Sequence, residues 1–352
     1  MTSMQFSSGD LTADRRADYA EMLFAGGEIA AAAGLMTDTL ALVPAWAAGW
    51  YRLGEMREAA GEAAGAAEAF AEALRLDPAD RLGASLKLCL LGAAHAIDAP
   101  PSAFVETLFD QYAGRFDKAL IERLAYRVPD LIAEALEVAG AKRFAHVVDL
   151  GCGTGLMGER LRHAASFLDG VDISAGMLKK AEAKRVYDRL SRQDLQTFDP
   201  AAFGQAGRPG GAGAGQVSPA AGGSLSAVAV DLVAAADVFL YLGALERIVA
   251  AVAAMLPDGG LFAFSVERHD GPEPMVLRPS RRYAHSEVPL RDLLAAAGFT
   301  VVSLAAHPIR MDRGEPIEGL IVVARKARAE ALATSVGEDA ALPGDGMAVP
   351  PN

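Results

Sequence analysis

Residues 147–155 read VVDLGCGTG, a run of apolar, largely β-branched residues that ends in glycines at alternate positions, Gly151, Gly153 and Gly155. Glycine has no Cβ and takes up positive φ without strain, so a ligand can approach its backbone directly. After a buried strand and before a helix, such a turn lies at the carboxyl edge of a sheet, where nucleotide-like ligands bind in open α/β folds. The following helix N-terminus adds unpaired N–H groups. Asp172 comes about 20 residues after the glycines, at the end of the apolar segment FLDGVDI, and an acidic side chain there can accept both hydroxyls of a ribose. The chemistry implied is recognition of an adenosine-bearing ligand. A dinucleotide fingerprint, G-x-G-x-x-G, needs glycine at 156, where the chain has Leu156.

The elements that must position these residues follow from periodicity. From residue 145 apolar strands alternate with amphipathic helices, which predicts a parallel sheet covered on both faces. Strands are expected near 145–150, 167–173, 229–236 and 261–267, with a weakly patterned one near 189–195. Helices are expected near 155–165, 175–187 and 244–255. Ser286 is placed to cap a further helix that ends at Gly298. Two last strands, near 300–311 and 319–325, flank DRGEPIE and read as an antiparallel pair. Residues 204–224 are Gly/Ala/Pro low complexity and read as a disordered insertion, and the tail 328–352 reads as unstructured.

Upstream, residues 13–96 are rich in Ala, Leu and Glu, which predicts helices. Trp50, Leu53, Gly54, Ala66, Phe70, Ala73 and Pro78 have the spacing of one tetratricopeptide repeat, a helix–turn–helix of 34 residues. Arg57 stands where that motif usually has an aromatic. Pro44 lies 34 residues before Pro78, and Tyr19, Ala20, Ala32 and Met36 occupy the places of a weaker copy. An ordinary α-hairpin bundle is the plainer reading. The double proline in IDAPPSAF separates this helical unit, 1–98, from a catalytic unit, 99–327.

Composition narrows the function classes. The chain has 352 residues and a formal net charge of −12, which disfavours nucleic acid and anionic lipid as partners. Two cysteines, Cys89 and Cys152, are too few for a disulfide framework. Cys152, between glycines and away from basic residues, reads as a small apolar filler. No Cys/His cluster has metal-ligand spacing. The first residues lack the order of a signal peptide and the longest apolar stretch carries Asp231 and Asp237, so a soluble cytoplasmic protein without a membrane span is expected.

With these motifs in hand, residues 101–326 resemble the class I S-adenosylmethionine-dependent methyltransferase family. The likeness rests on VVDLGCGTGLMGERL, on LDGVDISAGMLKKAEAK and on the later strand–helix–strand with its LPDGG turn. The combination with a repeat unit is similar to bacterial tetratricopeptide-containing methyltransferases. The resemblance implies a doubly wound, Rossmann-like α/β sheet of seven strands with a reversed last strand, and S-adenosyl-L-methionine as cofactor. It implies that Gly151 and Gly153 pack against the methionine part, Asp149 helps hold the amino group, Asp172 binds the ribose and Met177 lies against adenine. Asp194 and the Leu195 backbone meet the adenine amine, Asp237 begins the wall between cofactor and acceptor, and Tyr112 and Phe116 close over the cofactor. Asp149 as a turn acid, Met177 as helix core, and Tyr112 and Phe116 as packing are the structural alternatives.

Methyl transfer from a sulfonium is an in-line displacement, so the protein chiefly aligns, and it needs a base only where the acceptor must first lose a proton. His285 and Tyr283, in PSRRYAHSEVPL, are the expected catalytic residues, with His269 as a second candidate base, while His307 and Arg310 read as structural. The expected function is methylation of an unidentified acceptor, small molecule or protein. The repeats would suit a protein partner or a homodimer. Two other classes stay open: a non-catalytic S-adenosylmethionine-binding module whose repeats dock a partner, and a nicotinamide-dependent dehydrogenase, against which Leu156 and the antiparallel last pair argue.

Overall fold

The computed structural model describes residues 7–114, 116–118, 124–203, 229–312 and 314–328. The expected insertion 204–224 lies outside the described residues, as does all but the first residue of the expected tail 328–352. Strand β1 (Phe144–Leu150) is buried at every position but Ala145, as a strand flanked by neighbours and covered on both faces must be. It pairs in parallel with β2 (Ala165–Asp172) on one side and β4 (Leu232–Ala235) on the other. β2 pairs in parallel with β3 (Arg189–Arg192), and β4 with β5 (Leu261–His269). Side chains alternate between the two faces, which is why the strands read as unbroken apolar runs. Val148, Val233, Phe262 and Phe264 enter one core with α11 (Glu246–Met255) and α12 (Glu287–Ala296). Val147, Leu232, Leu261 and Ala263 enter the opposite core with α8 (Val128–Val138) and α9 (Leu156–Leu161). The remaining crossover helix, α10 (Ala175–Lys184), is capped by Ser174, whose hydroxyl accepts the Met177 amide.

Among the described residues the sheet has nine strands, not the expected seven. Beyond β5, the long antiparallel pair β8 (Phe299–Asp312) and β9 (Glu315–Lys326) completes the expected set, with β9 running antiparallel to β5. The two extra strands, β6 (Met275–Leu277) and β7 (Tyr283–Ser286), form a ribbon on the carboxyl end of β5, in the stretch read as a loop. Ser286 stands at the N-cap position of α12 as expected, but its side chain makes no capping bond. Its hydroxyl donates to the Gly271 and Glu273 carbonyls and ties the ribbon, while Gly298, at φ +79, ends the helix as expected. β3 is polar and short because its anchor is ionic: Arg189 forks onto the buried Asp169 of β2 at 2.6 and 2.7 Å, and the His146 ring meets the same carboxylate at 2.9 Å.

The preceding helices are α1 (Leu11–Ala25), α2 (Ile29–Leu40), α3 (Ala47–Ala59), α4 (Ala63–Leu76) and α5 (Ala84–Leu90). They pack as hairpins, α1 on α2 and α3 on α4. The hairpins share a 34-residue structural period: Gly27 and Gly61 turn the chain at φ +88 and +79, and Ala32 and Ala66 are both fully buried. Gly54 is required by packing, since a Cβ there would stand 2.6 Å from the Phe70 ring. Helix α6 (Ser102–Tyr112), the short α7 (Phe116–Lys118) and α8 then lead into β1. Leu86 of α5, Phe104 of α6 and Tyr283 of the ribbon share one buried cluster, so the helical unit is packed onto the sheet's carboxyl edge.

Gly243 fixes part of that junction. It holds φ +72, a Cβ would come 2.2 Å from the Asp98 carbonyl oxygen, and the next amide, of Ala244, donates to that oxygen at 2.7 Å. Gly243→Ala is expected to cost about 2 kcal/mol or more in urea unfolding, from backbone strain and collision together. Gly259→Ala, at φ +84 with nothing within 4 Å, pays the strain alone and is expected to cost about 1 kcal/mol.

Candidate functional site

The turn after β1 is built as the glycine spacing requires. Gly151, Gly153 and Gly155 stand at φ +65, +53 and +95. At Gly151 a Cβ would strike the Val238 side chain at 2.5 Å, whereas at Gly153 the nearest side-chain atom is Phe116 Cε1 at 3.9 Å, so this backbone faces open space. Asp172, at the end of β2, pins the turn: one carboxylate oxygen accepts the Gly153 amide at 2.9 Å and the other the Ser174 amide at 2.8 Å. Burial pushes the Asp172 carboxyl up to about 6 against those bonds. Thr154 donates to Asp117 and links the turn to α7.

A cavity of about 730 Å³ opens from this turn. At one end are Gly151, Gly153, Asp172, Ile173, Asp194 and Leu195. Tyr112 and Phe116 stand over it, and Asp237 and Val238 form a wall beyond. At the other end are Phe24, Tyr51, Arg52 and Leu82 of the helical unit, with Phe104, Arg281 and Arg282. The cavity is continuous between the two.

Most expected cofactor residues converge here: Tyr112, Phe116, Gly151, Gly153, Asp172, Asp194, Leu195 and Asp237 all line the cavity. Asp194 also accepts the Gln196 amide at 2.9 Å. Asp149 lies behind the turn, fully buried. Its Oδ2 accepts the Tyr187 hydroxyl at 2.7 Å, and Oδ1 has no hydrogen-bond partner among the described residues. Burial pushes its carboxyl up to about 7. Met177 is fully buried in the helix interior and does not line the cavity; Ile173, next to Asp172, does. The Cys152 thiol is raised by burial, which keeps it neutral and fits a packing role.

The structure does not bring the two expected catalytic residues to the cavity. The Tyr283 hydroxyl donates to the Ile97 carbonyl at 2.8 Å, and His285 Nε2 meets the Gly243 carbonyl at 2.7 Å. Both residues hold the ribbon against the 97–104 segment and the loop before α11, and neither lines the cavity. Burial lowers the His285 imidazole, so it is neutral there. His269 pairs with Glu273 at 3.1 Å, away from the cavity. Arg310, read as structural, lines it. Arg310 holds both Asp237 oxygens at 2.6 and 2.7 Å and contacts Glu267 with its other nitrogen. Asp237 is itself at φ +58, an uncommon conformation that the Arg310 Nη1, shared between both carboxylate oxygens, secures. The phenols of Tyr126 and Tyr241 also face the space. None of these carried a sequence signal, because each is defined by partners far away along the chain.

A family model described as a methyltransferase domain matches residues 148–262, the part of the chain that carries the glycine turn, Asp172, Asp194 and Asp237. Methyltransferase-like protein 27 of Homo sapiens is 41% identical over 103 residues, which cover 28% of this chain and 40% of that protein, so the chain matches less than half the relative's length. Among solved structures, magnesium protoporphyrin IX methyltransferase from Synechocystis PCC 6803 is 18% identical, with a TM-score of 0.45 over 66% of this chain and 100% of that one. An S-adenosylmethionine-dependent methyltransferase from Clostridium acetobutylicum is 17% identical, with a TM-score of 0.42 over 63% and 100%. Likenesses at these scores carry no functional inference. No helix among the described residues is long and apolar enough to cross a membrane.

The two raised carboxyls make a prediction. A carboxyl raised in the folded state binds its proton more tightly there than in the unfolded chain. Its stabilising contribution is therefore full below the ordinary carboxylate range and is lost as pH climbs through about 7 for Asp149. Asp149→Asn is expected to gain stability over the parent between pH 5 and 8, by about 1–3 kcal/mol in urea melts of the ligand-free protein. A difference that does not change with pH would show that Asp149 titrates normally.

Proposed function

We propose that this chain transfers a methyl group from S-adenosyl-L-methionine to an acceptor held at the opposite end of the same cavity. The observation that carries the reading is the continuity of one space from the glycine turn to the aromatic and arginine walls of the helical unit. The residues present fit the cofactor. The open backbone at Gly153 admits a ligand where any Cβ would project into the space. The orphaned Oδ1 of Asp149 is an acceptor that an ammonium group satisfies, directly or through water. Asp172, with each oxygen accepting one amide, retains lone pairs for ribose hydroxyls. Asp194 and Leu195 would receive the adenine amine, Ile173 would take the adenine contact expected of Met177, and Tyr112 and Phe116 would close the site.

When bound, the cofactor supplies a methyl carbon whose bond to sulfur breaks, leaving the electron pair on sulfur, as the acceptor's lone pair bonds to that carbon. The chain's own part is to align the two molecules and exclude water. Arg310 fixes Asp237 so that the wall between them stays in place. The described site offers no histidine at the reacting end, which favours an acceptor that needs no dedicated imidazole base. The hairpins with a 34-residue period are a tetratricopeptide-type pair in this reading, serving as the acceptor-side cover of a catalytic unit that spans 99–327. A cytoplasmic setting accords with that unit.

Calorimetric titration with S-adenosylhomocysteine tests the reading, with NAD as control. Micromolar binding of the first ligand alone is expected, weakened about tenfold or more in Asp172→Asn, whose NH2 cannot accept one of the two backbone amides and leaves fewer lone pairs for the ribose. Absence of S-adenosylhomocysteine binding to the folded parent would contradict it.

A further inference from the structure

We propose that the helical-unit end of the cavity takes an acceptor bearing a carboxylate on an aromatic body, with Arg281 and Arg282 as the seat of the carboxylate. The inference rests on the methyl-transfer reading of the same cavity and names the class of its second substrate.

The carboxylates near this end are already committed. Glu21 and Glu55 pair with Arg52 at 2.5 and 2.9 Å, and Asp237 and Glu267 pair with Arg310. Arg281 is different. Its Nη1 donates to the Tyr51 hydroxyl at 2.8 Å and the Leu82 carbonyl at 3.1 Å, and its guanidinium lies 4.8 Å over the Phe104 ring. All of these partners are neutral, and Arg281 forms no ion pair among the described residues. Arg281, at φ +63, closes the turn between β6 and β7, where its amide donates to the Arg278 carbonyl at 2.8 Å. Arg282 donates to the Tyr241 hydroxyl at 3.1 Å, and its nearest carboxylates, Glu267 and Asp312, stand 3.9 Å away. Arg281 and Arg282 both line the cavity, which Phe24, Phe109 and Tyr241 also wall.

Charge along the cavity sets the orientation. Near the glycine turn the cavity is lined by Asp172 and Asp194, and the arginines close by are paired, Arg192 with Glu106 and Arg310 with Asp237 and Glu267. An organic acid is repelled there and attracted at the far end, which turns its uncharged part toward the site of transfer. A planar guanidinium matches a carboxylate through two parallel hydrogen bonds. Glu267 and Asp312, close behind Arg282, favour a monoanion over a phosphate dianion.

The test uses the full chain saturated with S-adenosylhomocysteine, titrated with 4-hydroxyphenylacetate and with its neutral amide, 4-hydroxyphenylacetamide. The acid is expected to bind about tenfold tighter or more. In Arg281→Gln that preference is expected to fall to about twofold or less with S-adenosylhomocysteine affinity retained, and Arg281→Lys, which keeps the charge, is expected to retain part of it. Equal binding of acid and amide, binding of neither up to about 10 mM, a preference that survives Arg281→Gln, or tighter binding of 4-hydroxyphenyl phosphate than of the acid would each overturn the proposal. Should S-adenosylhomocysteine itself not bind, the methyl-transfer reading fails, and the same acid and amide titrations on the ligand-free protein still decide the arginine seat.

Discussion

The Asp172 carboxylate accepts the amide of Gly153, and that bond fixes the turn from which the cavity opens. The chain leaves β1 through glycines at positive φ, a path with few contacts of its own and a high conformational entropy to lose. Asp172 closes it against the neighbouring strand, and the Cys152 amide adds a bond to the Val171 carbonyl at 2.9 Å. Once the turn is fixed, α9 starts where its N–H groups face the carboxyl edge, Gly153 stays bare and Phe116 borders the space that a Cβ there would enter. The cost is a carboxylate held out of water, recorded in its raised pKa. A group with that pKa and two amide donors is poised between structural pin and ligand acceptor.

The far wall obeys a second ionic constraint. Asp237 sits in a left-handed conformation that a residue with a Cβ avoids, and Arg310 reaches from β8 to hold it by both oxygens. Glu267 at the end of β5 shares the same guanidinium. Three strands are therefore clamped at the point where cofactor and acceptor ends meet. Removing one member would leave buried charge uncompensated, so the network is a unit whose worth cannot be divided among residues. The ribbon β6–β7 and the helical unit complete the enclosure through neutral contacts, Tyr283 to Ile97 and Arg281 to Tyr51.

What the sequence disclosed and what it hid have a common physical origin. The glycine turn, Asp172 and the parallel core were legible because each is a local pattern: alternation along a strand, special φ at consecutive glycines, a carboxylate at a strand end. The 34-residue spacing of the hairpins is legible for the same reason, through Pro44 and Pro78 and through Ala32 and Ala66. Met177 is buried away from the cavity lining, and helix position alone does not say which face meets a ligand. His285 and Tyr283 have the right residue types in the right neighbourhood, yet Gly243 and Ile97, 42 and 186 residues away, claim their polar atoms. β3 was faint because a polar edge strand depends on Arg189 finding Asp169, and Arg310 was passed over because its partners lie on other strands. Long-range ion pairs have no period, and they define the acceptor side.

In the proposed function, the glycine turn, Asp172 and Asp194 form one end of a cosubstrate site that continues to the helical unit. A crystal structure of the full chain grown with S-adenosylhomocysteine tests this most directly. The ligand is expected along Gly151 and Gly153, with its ribose at Asp172, its adenine beside Asp194 and Ile173, and its sulfur facing Asp237 and the arginine-walled space. A ligand bound at any other surface, or with its sulfur turned away from that space, would contradict it.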